Sequence, residues 1–228
     1  MKITYYGHSC FLIETNGKKI LFDPFISPNE LAKGKVDVGS IECDYIAVSH
    51  AHNDHIADLE SIAKRTQATI ICAYELYEYF SKKGLEKFRP MNTGGKWSTD
   101  FGTVKCVSAI HSSCLPDGTY GANPMGFVFN TYEGDFYYSG DTALTLDMQL
   151  IPRWADLKFA VLPIGDNFTM DIDDAIEAAN FVQCKKVIGV HYDTFGYIVI
   201  DHQQAKEKFA AKGIELILVP IGESIEIN

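Results

Sequence analysis

Five histidines and two aspartates, each at or just past the end of a short apolar run, are the side chains that could act together chemically in this chain. Tyr45-Ile46-Ala47-Val48 leads into Ser49-His50-Ala51-His52-Asn53-Asp54-His55, and Thr103 to Ile110 delivers His111. Phe136-Tyr137-Tyr138-Ser139-Gly140 delivers Asp141, and Lys186 to Val190 delivers His191. Apolar, β-branched and aromatic runs of this length read as buried strands. In layered α/β folds, sites collect beyond the carboxyl ends of such strands. Neutral imidazole and carboxylate suit zinc and other borderline divalent cations, and a catalytic site keeps one position open for water. These side chains supply two cations with four donors each when one carboxylate is shared. His50 and His52 are two apart and point the same way from an extended segment, while Asp54 and His55 follow as the chain turns into a helix. Cations roughly 3.5–4 Å apart acidify the water between them and clamp the attacking and leaving oxygens. A solvated His/Asp loop beside unrelated core histidines explains the dense cluster, but not three further strand-end donors.

At these positions the chain resembles the metallo-β-lactamase superfamily, whose signature is His-x-His-x-Asp-His followed by a distant His, Asp and His. His50, His52, Asp54, His55, His111, Asp141 and His191 match it throughout. The resemblance implies that His50, His52 and His111 hold one metal and Asp54, His55 and His191 a second, with Asp141 bridging. Further similarity is to small stand-alone metal-dependent hydrolases related to L-ascorbate-6-phosphate lactonase. It lies in Tyr6-Gly7-His8-Ser9-Cys10-Phe11, Asp23-Pro24-Phe25, Ser139-Gly140-Asp141-Thr142, Pro163-Ile164-Gly165, Phe168-Thr169-Met170 and His191-Tyr192. The fold so implied is α/β, a four-layer αββα sandwich of two mixed β-sheets flanked by helices, with residues 1–228 as a single hydrolase domain. Two residue choices narrow the chemistry. Flavin-partnered di-iron oxidoreductases of the superfamily tend to carry Glu where His52 stands. Antibiotic-cleaving zinc enzymes often carry Cys where Asp141 stands.

The expected activity is hydrolysis of a small ester-type substrate (a lactone, thioester or phosphodiester) by a hydroxide bridging two divalent metal ions. Zinc comes first, with manganese, iron or nickel taken by the same donors. Asp54 is expected to ligate, to orient the nucleophile and to accept its proton. A metal-dependent oxidoreductase, a nuclease or phosphodiesterase, and a metal-stabilised binding protein are the alternatives. His8, in a tight connection, is expected beside the site, orienting a ligand or touching substrate. Thr142 is expected to support Asp141, Tyr192 to face a developing oxyanion or pack in the core, and Phe168 to form part of a pocket wall.

The elements that must position these groups follow from local pattern. Ile3 to Tyr6 and Cys10 to Glu14 read as strands, and Asn16-Gly17 as a hairpin turn into Lys19 to Asp23. Pro24 to Ser40 reads as a rim loop. Helices are expected over 56–64, 73–82, 171–182 and 201–212, the last two capped by Asp171 and Asp201. Strands are expected over 69–72, 126–131, 136–139, 215–219 and 224–227, and a loop over 112–124.

Composition limits the partners. The chain of 228 residues is 46% hydrophobic and carries a formal net charge of -10, with its basic residues few and dispersed. Nucleic acid, which needs clustered Lys and Arg, is not expected as a partner. A small anionic substrate drawn by the metal ions fits better. No apolar stretch approaches the roughly 20 residues of a membrane span, and Met1 to Tyr6 runs straight into a strand rather than a signal peptide. Six scattered cysteines suggest a reducing, cytoplasmic setting. The pattern leaves a homo-oligomer open.

Overall fold

A computed structural model describes residues 1–227 and contains two seven-stranded mixed sheets. The first takes β1 (Lys2–Gly7), β2 (Cys10–Thr15), β3 (Lys18–Phe22), β4 (Tyr45–Ala47), β5 (Thr69–Ala73) and β6 (Phe88–Met91), with β14 (Ser224–Glu226) beside β1. The second runs in order from β7 (Lys96–Ser98) through β8 (Gly102–Ser108), β9 (Met125–Thr131), β10 (Gly134–Tyr138), β11 (Leu157–Pro163) and β12 (Lys186–Val190) to β13 (Glu215–Ile217). Counted from β14 and from β7, each sheet has three antiparallel pairings followed by three parallel ones. That shared order is the pseudo-two-fold of the αββα sandwich, which residue patterning does not display.

Phenylalanines fill the space between the sheets. Phe11 stacks on Phe22 at 4.5 Å, Phe22 meets Phe129 edge-on at 5.5 Å, and Phe129 stacks on Phe136 at 4.7 Å. Offset stacks and edge-to-face pairs favour a defined arrangement beyond plain area burial. Helices α1 (Asn53–Ile56), α2 (Leu59–Thr66) and α3 (Tyr74–Ser81) follow the strands of the first sheet; α4 (Ile172–Phe181) and α5 (His202–Ala211) follow those of the second. Asp171 accepts from the Asp174 N–H at 2.7 Å and Asp201 from Gln203 and Gln204 at 3.0 Å, so both expected caps form.

Local pattern differs from the structure in a few places, each for a physical reason. The helix expected over 56–64 is split into α1 and α2 because Asp58 serves the rim loop. Its N–H bonds to Pro24 O at 3.0 Å, and its carboxylate takes the Ile26 and Ser27 N–H groups at 2.6 and 2.8 Å. The short edge strand β6 contains Arg89-Pro90, a pair tolerated only where one side of the strand is unpaired. The unforeseen β11 ends on Pro163, and a 3₁₀ segment covers Leu146–Arg153.

Gly165 shows how tightly the strand ends are packed: a Cβ built there lies 2.1 Å from His191 O. Gly165→Ala is expected to lower stability by about 1–3 kcal/mol, the usual cost of overpacking. Thermal denaturation measures it, and an unchanged Tm would show that the His191 turn moves freely.

Candidate metal centre

The site forms where the strands of both sheets end. Past β4 the chain stays extended, with His52 at φ -65 and ψ 146, so His50 and His52 leave the same side of the segment before α1 begins. Nε2 of His50 lies 3.0 Å from Nδ1 of His52, and the donor atoms of His50, His52 and His111 lie within 4.8 Å of one another. The first turn of α1 brings Asp54 and His55 round to meet His191 beyond β12. Their donors, together with one from His8, form a second group within 4.8 Å. Asp141, three residues past β10, lies between the two groups. Its Oδ2 is 2.9 Å from Nε2 of His191, 3.1 Å from His55 and 3.7 Å from His111. All seven expected ligand residues are therefore brought together.

A residue singled out only as part of the Asp23-Pro24-Phe25 similarity orients this arrangement. Asp23, fully buried one residue past β3, accepts the Ser49 N–H on Oδ1 at 2.7 Å. Its Oδ2 accepts from the Ser49 hydroxyl at 2.6 Å, the Tyr138 hydroxyl at 2.5 Å and Nδ1–H of His55 at 2.8 Å. Because the Ser49 hydroxyl donates to Asp23, it accepts from Nδ1–H of His50 at 3.0 Å. One carboxylate thus assigns the proton of both imidazoles to Nδ1 and turns both Nε2 atoms inward, the arrangement in which an outer partner fixes a ligand's tautomer. The available signal was an acid directly after the apolar run Ile20-Leu21-Phe22.

His8 joins the site on its other flank. Nε2 lies 3.0 Å from Oδ2 of Asp54 and Nδ1 lies 3.0 Å from the Thr194 hydroxyl, while the His8 carbonyl accepts the His191 N–H at 2.9 Å. His8, Asp23 and His191 have φ of 56, 40 and 56 degrees. Non-glycine residues in this left-handed region cost of order 1–3 kcal/mol and cluster at functional sites. Thr142 accepts the Ile110 N–H at 2.9 Å through its hydroxyl and the Met170 N–H at 3.1 Å through its carbonyl, tying together the approaches to His111 and Asp141. Phe168 is on the exposed rim. Tyr192 faces elsewhere: its ring stacks on Tyr5 at 6.5 Å and meets His202 at 5.4 Å, in the wall of a 190 Å³ cavity behind His8.

Charges are poised for a cation. Burial lowers the protonation of His50, His52 and His111, and burial with the neighbouring His191 brings His8 down to about 4. Burial would raise Asp54 and Asp141. The hydrogen bond from His8 and the charge of His55 outweigh it at Asp54, and His191 and His55 outweigh it at Asp141, so both carboxyls fall below their usual range. Burial would lower His55, yet Asp141 and Asp23 on its two sides raise it well above the ordinary value. A cation also answers an unmet valence, because Asp141 Oδ1 is buried without a hydrogen-bond partner among the described residues. Such an atom costs about 1–3 kcal/mol when nothing meets it. Imidazoles with inward Nε2 around ionised carboxylates fit a divalent metal.

The Beta-lactamase superfamily domain profile matches residues 2–191. A UPF0173 metal-dependent hydrolase of Christiangramia forsetii is 53% identical over 227 residues, covering all of both chains. Igni18, a metallo hydrolase from Ignicoccus hospitalis, superposes with a TM-score of 0.88 at 32% identity, over 100% of this chain and 99% of its own. The metallo-beta-lactamase fold protein YhfI of Bacillus subtilis shares the fold, with a TM-score of 0.74 at 17% identity over 98% of each chain.

Asp23→Asn is expected to weaken metal binding by about 10–100-fold, as loss of a ligand's outer partner does. Competition with a chromophoric chelator measures it, and wild-type affinity would show that His55 is oriented by something else. Because His55 sits raised between two carboxylates, it keeps a proton on Nε2 in the metal-free protein near neutral pH. Cation uptake is expected to release about one proton and to weaken as pH falls. Calorimetry in buffers of different ionisation enthalpy reads the release; none at all would show His55 already neutral.

Proposed function

The chain belongs to the Beta-lactamase superfamily, among its metal-dependent hydrolases, and from this we propose that it is a dinuclear enzyme cleaving a small ester-type substrate: a lactone, thioester or phosphodiester. The observation that carries the reading is Asp141 Oδ2, within 3.7 Å of Nε2 on His111 from one donor group and on His55 and His191 from the other. His50, His52 and His111 would hold one cation and Asp54, His55 and His191 the second, with Asp141 shared. Divalent cations held there, zinc first and manganese, iron or nickel as alternatives, would supply Lewis acidity to the scissile oxygen and lower the pKa of a water molecule.

The chain's own groups do the rest. Asp54 is ionised at neutral pH, and its Oδ2 is held by His8, leaving Oδ1 to orient the attacking water and accept its proton. His8 is itself anchored by Thr194 and by its backbone link to His191, which keeps the Asp54 carboxylate turned toward the second donor group. Asp23 holds His50 and His55 in place throughout, so the donors need no rearrangement as the reaction proceeds. All six cysteines are free and five are buried, which supports a reducing, cytoplasmic setting. Among the described residues no helix is long and apolar enough to cross a membrane.

A screen of lactones, thioesters and phosphodiesters, run on protein of measured metal content, tests the proposal. Asp54→Ala and His52→Ala are each expected to cut turnover of any active substrate by about 10²–10⁴-fold. Undiminished turnover in variants that have lost their metal would sink it.

A further inference from the structure

We propose that the substrate carries an uncharged apolar group, aryl or alkyl, beyond its reacting centre, and that this group seats on a rim formed by Ile110, Tyr120, Phe168, Phe195 and Tyr197. The proposal rests on the hydrolase reading and narrows it. These five side chains are between 38% and 78% exposed. Single exposed apolar residues are ordinary, but several gathered round one site mark a binding surface.

Each is tied to the donor cluster. Ile110 directly precedes His111, and its carbonyl and N–H bond to the loop that follows Asp141. Tyr120 adjoins Gly121, where an added Cβ would lie 2.6 Å from Cβ of Ala51, the residue between His50 and His52. The Phe195 ring lies 5.3 Å from that of His8. Phe168 precedes Met170, whose N–H bonds to Thr142 O, and its ring meets Tyr197 at 6.3 Å. Ile110 and Tyr120 therefore lie beside the first donor group and Phe195 beside the second, while Phe168 and Tyr197 adjoin the loop that follows Asp141.

Charge decides what these walls can accept. The loops 109–124, 139–152, 163–171 and 191–201 contain no Lys or Arg, yet carry Asp117, Asp147, Asp166, Asp171, Asp193 and Asp201 besides the ligand Asp141. A carboxylate or phosphate appended to the substrate would need a cationic or forked donor there. It would find carboxylates instead. Lys35 borders the cavity behind His8, and Lys208 is paired with Asp173 at 2.6 Å. The expectation of an anionic substrate thus extends to the reacting group and stops there.

The test uses metal-loaded protein with two matched series, carboxylic esters and phosphodiesters. Within each series the leaving group is constant and the remaining substituent is methyl, phenylalkyl or a carboxylate-bearing chain of equal length. Phenylalkyl is expected to lead the other two by about tenfold or more in kcat/KM, through KM, the scale on which apolar pockets discriminate. Phe168→Ser and Tyr197→Ser should each shrink that lead several-fold. Tyr132→Ser, at the distant β9–β10 turn, should not.

The neutral phenylalkyl carboxamide, which is not cut, is titrated calorimetrically in parallel, and Tyr197→Ser should weaken its binding. Equal rates across a series, or a lead for the carboxylate, overturn the proposal while leaving the hydrolase intact. If neither these series nor a lactone or thioester is cut but the carboxamide still binds in a Tyr197-dependent way, the hydrolase reading fails and the apolar seat stands. A concentration-dependent dimer abolished by Tyr197→Ser, with flat substrate series, overturns it in favour of a second copy of the chain.

Discussion

The burial of Asp23 is the constraint on which the site depends. A carboxyl group without solvent is tolerated only when its oxygens are fully engaged, and here four donors converge on it: the Ser49 N–H and hydroxyl, the Tyr138 hydroxyl and Nδ1–H of His55. Those donors come from both sheets. Tyr138 closes β10 of the second, while Ser49 and His55 follow β4 of the first. The same contacts that satisfy the buried oxygens also draw the two sheet edges together and aim two imidazoles inward. Stability and site geometry are here one set of bonds.

The pseudo-two-fold gives this arrangement a second meaning. β3 and β10 occupy corresponding positions in their sheets, and each is followed by a buried aspartate, Asp23 and Asp141. The His55 ring lies between them, with Nδ1 2.8 Å from one and Nε2 3.1 Å from the other. Likewise His8 lies in the connection between β1 and β2, and His111 in that between the corresponding β8 and β9. Each serves a different donor group. Near-equivalent strand ends thus supply unlike roles: one aspartate orients and the other faces the donors.

Charge is divided sharply across the molecule. The chain as a whole is strongly negative, with a formal charge of -10, and the loops 109–124, 139–152, 163–171 and 191–201 are acidic and free of Lys and Arg. Cations held at the centre would concentrate positive charge where the donors converge, and attraction would be focused there. Around it the walls are aromatic. On the proposed reading a substrate would meet an electrophilic floor and apolar sides.

How much of this was legible in the residues depends on whether a feature is local. The seven donors could be read because each follows an apolar run, and strand ends are where such a fold exposes functional groups. The Asn16-Gly17 hairpin and the caps at Asp171 and Asp201 could be read because they depend on neighbours within a few positions. Asp23 as the orienting carboxylate, and the link from His8 to Asp54, are contacts across 26 to 115 positions, which no spacing rule encodes. The split at Asp58 and the edge strand at Arg89-Pro90 escaped for the same reason: helix and strand propensity gave way to bonds with a distant loop and to a place at the sheet's border. The sequence by itself determined which atoms could bind and on which elements they ride. Only the packing of the two sheets decided which nitrogen of His50 and His55 points inward, because both choices trace to Asp23, far away along the chain.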